Sequence, residues 1–94
     1  VECRTPTPGK SATRIEKWKF DAIRSAIRAV VPSSGDGVLF SQLPELAKKK
    51  MDANELKRLG SLMWYVTVVK LELEVRGELR RVPDVSPQRL LRVR

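Results

Sequence analysis

Leu62-Met63-Trp64-Tyr65-Val66-Thr67-Val68-Val69-Lys70-Leu71-Glu72-Leu73-Glu74-Val75-Arg76, followed by Gly77, is the stretch whose reading decides the fold. At about 100° per residue, Leu62, Tyr65, Val66, Val69 and Leu73 fall on one side of a helix, the spacing of a core-facing stripe. Trp64, Val68, Leu71 and Val75 make a second apolar stripe turned well away from the first. Only Thr67, Lys70 and Glu74 form a polar strip. Gly77 stops the helix, and Glu78–Val82 and Gln88–Val93 then read as two strands joined through Pro83-Asp84-Val85-Ser86-Pro87. With prolines at both ends, that connection is too long and stiff for a two-residue hairpin turn.

Two apolar stripes on one helix demand two layers of cover. A chain of 94 residues builds one modest core. The second stripe, Trp64, Val68, Leu71 and Val75, therefore predicts an interface, and a homodimer built through helices is the expected form. Packing of Trp64 on Trp18 or Phe20 within one chain is the alternative.

Charge points to the partner. Nineteen Lys and Arg oppose eleven Asp and Glu, giving +8, a balance suited to DNA or another anionic surface. Residues 76–94 alone carry six arginines against Glu78 and Asp84. Leu79, Val82, Leu90 or Leu91, and Val93 supply the hairpin's buried side, and the Leu90-Leu91 pair leaves its register open.

Upstream, residues 1–12 contain Pro6, Pro8 and Gly9 without an apolar period and read as a flexible arm. Residues 13–94 form the single domain. Thr13-Arg14-Ile15-Glu16 fits a capping box, and a helix follows to about Val30 with Ile15, Trp18, Ala22, Ile23, Ala26, Ile27 and Val30 inward. Pro32 through Gly37 is a turn. Gly35 and Gly37 lack the Gly-Lys-Ser/Thr that a phosphate loop requires. Val38-Leu39-Phe40 is a short edge strand, and Ser41 caps a helix with Pro44 in its first turn. That helix ends in Lys48-Lys49-Lys50, near the negative end of its dipole. Asp52-Ala53-Asn54-Glu55 opens another short helix, and Ser61 caps the long one.

Catalysis and metal binding find no support. The chain lacks histidine and has one cysteine, Cys3, so neither an imidazole triad nor a thiolate metal cluster is available, and no cofactor motif appears. No apolar run approaches the ~20 residues of a membrane span, and no charged-then-apolar signal segment stands at the start of the sequence. A cytoplasmic protein is the simplest expectation, although Val1 is not a start methionine.

The order helix, short strand, helix, long helix, hairpin resembles the winged helix-turn-helix superfamily, an α+β, mainly α architecture. More closely, the chain resembles small uncharacterised bacterial proteins classed as a domain of unknown function. Trp18-Lys19-Phe20, Gly37-Val38-Leu39-Phe40, Trp64-Tyr65, Lys70 through Gly77, Val82-Pro83 and Pro87-Gln88-Arg89-Leu90 carry that likeness, across about residues 14–94. Leu73 through Leu79 also resembles the recognition-helix-to-wing junction of bacterial transcription regulators. The family name implies no activity. The +8 charge and the hairpin arginines lead to the expectation of a winged-helix nucleic-acid-binding module, a transcriptional regulator in form, that contacts DNA mainly through backbone phosphates. Thr67, Lys70, Arg76, Arg80, Arg81, Arg89 and Arg92 are then its contact residues.

Two departures limit that expectation. The exposed positions of the long helix offer Thr67, Lys70, Glu72 and Glu74, and the carboxylates repel phosphate. Eleven residues, Met51–Ser61, also stand where a helix-turn-helix usually has three or four. A protein-interaction module without a DNA role is therefore the competing expectation.

Overall fold

A computed structural model describes residues 1–94. The chain is α+β, mainly α. In order it forms β1 (Glu2–Cys3), β2 (Thr13–Arg14), α1 (Lys17–Val30), β3 (Val38–Leu39), a 3-10 turn (Phe40–Gln42), α2 (Leu43–Lys48), α3 (Ala53–Leu59), α4 (Leu62–Val75), β4 (Leu79–Arg81) and β5 (Arg89–Arg92). One two-stranded sheet pairs β1 with β2, and a three-stranded antiparallel sheet has the order β3-β5-β4.

α1, α2 and α4 pack on one another around the core, and α3 leans on α4. From α1 come Phe20, Ile23, Ala26 and Ile27, from α2 Leu43 and Ala47, and from α4 Val66, Val69 and Leu73. The stripe read from α4's sequence is thus the core face. Trp18, Ala22 and Val30, expected on α1's inward stripe, are only partly buried. The register of the hairpin is Leu79↔Arg92, Arg80↔Leu91 and Arg81↔Leu90. Both Leu90 and Leu91 are buried, so the ambiguous pair serves two faces: one against the core cluster, one beneath the 35–37 loop. That loop is tight at Gly37, which has φ +78 and whose Cβ, were there one, would sit 2.5 Å from the Leu90 carbonyl oxygen.

Several local readings hold. Asp52 and Glu55 exchange both capping-box hydrogen bonds, and the Ser61 hydroxyl accepts from the Trp64 amide. Others are corrected. Thr13 caps nothing, because it pairs with Cys3 in the N-terminal hairpin, and α1 starts at Lys17 with Glu16 as its cap. Ser41 does not cap α2 either, since the 3-10 turn runs directly into that helix.

Residues 1–12 are no flexible arm at their start. β1 pairs with β2, the Val1 ammonium donates to the Ile15 carbonyl at 2.8 Å, and Cys3 is buried in the core cluster. Strand pairing plus a buried apolar side chain offsets the ordering entropy that prolines and glycine had suggested would win. No helix is long and apolar enough to cross a membrane.

A candidate interaction surface on the long helix

The two ends of α4 do opposite things with their side chains. Toward its C-terminus the helix buries charge. Glu72 has a side chain 1% exposed and accepts four hydrogen bonds: from the Arg4 amide, from Arg4 Nε and Nη2 at 3.1 and 2.8 Å, and from Arg76 Nε at 2.7 Å. Burial alone would raise its pKa. The Arg4 and Arg76 donors outweigh burial and bring it down to about 2. The Arg76 guanidinium also lies over the Phe20 ring, 4.6 Å from its centroid.

One turn away, Lys70 is buried and places its ammonium 3.0 Å from Glu74 and 4.5 Å from the Phe40 ring centroid. Burial pulls the Lys70 pKa below its usual value, with Glu74 opposing. Glu74 also takes the Arg81 guanidinium, which ties the hairpin to the helix. Beyond the helix, Glu78 is held by Arg24 at 2.8 Å and Arg28 at 2.9 Å on α1. Three carboxylates each gather two cations, and each carboxylate has at least one partner from another part of the chain: Arg4 for Glu72, Arg81 for Glu74, Arg24 and Arg28 for Glu78. Such pairs fix geometry more than they add stability, because desolvation offsets most of the attraction.

Several candidate contact residues are thereby removed from solvent chemistry. Lys70 is inside the protein, Arg76 is paired with buried Glu72, and Arg81 shares Glu74 with Lys70 while its side chain stays 48% exposed. The expectation that Glu72 and Glu74 stand outward on a recognition helix is overturned, since their partners lie on the N-terminal strand and the hairpin. Thr67 donates its hydroxyl to the Met63 carbonyl and is only partly exposed. Arg89 donates to the Gly37 carbonyl, Arg92 to that of Val31, and Arg94 to the Ser33 hydroxyl. Of the predicted contact residues, only Arg80 is exposed with no hydrogen-bond or carboxylate partner. The sequence-predicted basic set therefore does not converge on one site.

The predicted interface stripe also divides. Trp64 is 47% exposed, but Val68 packs against the core cluster, and Leu71 and Val75 are partly buried. Trp64 does not pack on Trp18 or Phe20. Its ring meets Tyr65 edge-on at 4.9 Å, while Lys19 sits between Tyr65 and Trp18 and Arg58 covers Trp18.

What sequence reasoning missed is a groove of about 380 Å³ bounded by Phe40, Ser41, Pro44, Met63, Thr67, Pro87 and Gln88. Its walls are the 3-10 turn with the start of α2, the N-terminal half of α4 and the end of the β4–β5 connection. Met63 is the most exposed large apolar residue, at 67%. No charged side chain lines the groove. The Gln88 carboxamide does, with Oε1 buried and without a hydrogen-bond partner. A signal for one of its walls, Met63, was present in the sequence. Met63 heads the strip Thr67, Lys70 and Glu74 at i, i+4, i+7 and i+11, the single apolar residue on an otherwise polar strip.

The chain belongs to a family of unknown function, DUF6958, whose model matches residues 1–90. No curated protein and no solved structure matches it.

Proposed function

We propose that the chain is a winged-helix module whose long helix serves a protein partner instead of base edges. Two features support the winged-helix reading: the order α1, β3, α2, α3, α4, β4, β5, and a sheet in which the last strand lies between the other two. α3 occupies the unusually long connection between the second helix and the helix in the recognition position. The observation that carries the function is the face that this helix presents beside the hairpin. It offers Met63, Trp64 and Thr67 with an uncharged groove, where base readout needs Arg, Lys, Asn or Gln donors.

A second reading, phosphate contact by the hairpin, draws support from Arg80, Arg89, Arg92 and Arg94, none of which has a carboxylate partner within ion-pair distance. Titration with labelled duplex DNA separates the two. The interaction reading expects only weak, sequence-indifferent binding that falls steeply with salt and does not change in Met63→Glu. Sequence-selective binding that persists at physiological salt and is lost in Met63→Glu or Trp64→Ala contradicts it.

A further inference from the structure

Resting on that reading, we infer that the groove takes an extended peptide with an aliphatic side chain followed by an acidic one. The chemistry of the walls and of their surroundings argues for this occupant. Phe40, Pro44, Met63 and Pro87 give the groove an apolar lining, and its roughly 380 Å³ suits one or two aliphatic side chains, not a folded surface.

Beside the groove lies a charged group with one cation in excess. A continuous run of contacts leads there from the groove: Phe40 to Lys70, Lys70 to Glu74, Glu74 to Arg81. Two cations share one carboxylate, and the Arg81 side chain is 48% exposed. A carboxylate placed just beyond the apolar pocket meets that surplus, and the chain's +8 favours approach of an acidic segment.

The neighbouring surfaces suit this occupant better than they suit others. Nucleic acid would find no cation along the groove lining. A second copy would bring its own +8 against this one.

The test uses random-peptide display against the full chain, followed by fluorescence anisotropy on the enriched peptides and sedimentation velocity on the chain alone. Enrichment of Leu, Ile or Val followed within three residues by Asp or Glu is expected. Affinity should fall at least tenfold in Met63→Glu, and several-fold in Arg81→Gln but not in Arg80→Gln. Circular dichroism confirms that each variant is folded. Enriched peptides without an acidic preference, or indifferent to Arg81→Gln, overturn the acidic occupant while leaving a protein-binding groove standing. Absence of enrichment, or peptides indifferent to Met63→Glu, overturns the interaction reading itself. Self-association that Met63→Glu abolishes assigns the groove to a second copy and overturns the peptide.

Discussion

The two halves of α4 invert the usual rule for a helix in a small domain. Its C-terminal half, Lys70 to Arg76, takes lysine and glutamate side chains inside, and its N-terminal half leaves methionine and tryptophan outside. The contrast separates structure from function. Buried charge is costly unless fully paired, and here each carboxylate has two cations, so that half is occupied with holding the N-terminal strand and the hairpin in place. Exposed Met63 and Trp64 contribute little to the fold, so what they do must be sought in what they touch.

The comparison breaks most visibly at Glu72. Glu72→Ala removes a buried hydrogen-bonded carboxylate and leaves two arginines that can turn to solvent, and it is expected to cost about 2–3 kcal/mol. Urea unfolding measures this, and a loss below about 1 kcal/mol would show that the cluster is not structural. Acid titration sharpens the same point. The folded-state pKa of Glu72 is about 2 against an ordinary value of 4.5. Because the folded value is depressed, its contribution is fully present above pH 4.5 and is lost as pH falls toward 2. The difference corresponds to about 3 kcal/mol. In Glu72→Gln that part of the acid transition should disappear, as read by stability measured at several pH values between 2 and 6.

Lys70→Met should matter less. The substitution keeps volume and the contact with Phe40, and Glu74 retains Arg81, so the change is expected to stay within about 1.5 kcal/mol. Thermal unfolding checks it. The smallest effects belong to the other half: Met63→Ser should alter stability by about 0.5 kcal/mol or less, and Trp64→Ser, which gives up the edge-on contact with Tyr65, by about 1 kcal/mol. A larger loss in either would mean that the N-terminal half is also structural.

The pattern of what could be read from sequence follows the same division. Local signals were legible: the Asp52–Glu55 box, the Ser61 cap, the stop at Gly77 and the core stripe of α4 all depend on neighbours within a few residues. Interactions across the chain were not. Glu72 is indistinguishable from a solvated glutamate until Arg4, 68 residues away, is brought beside it. Thr13-Arg14-Ile15-Glu16 satisfies the capping pattern, yet pairing with Cys3 competes for Thr13 and wins. The hairpin arginines drew attention by number, although Arg81 also ties the hairpin to Glu74. The groove escaped notice because Phe40, Pro44, Met63 and Gln88 share no spacing, and only the fold places them together.

Amide chemical-shift mapping with a peptide enriched against the chain tests the central claim most directly. The account predicts shifts at Phe40, Ser41, Met63, Trp64, Thr67 and Gln88, with Leu73, Val75 and the strand Glu2–Cys3 unmoved. Shifts confined to Arg80, Arg92 and Lys48–Lys50, leaving Met63 and Thr67 in place, would contradict it.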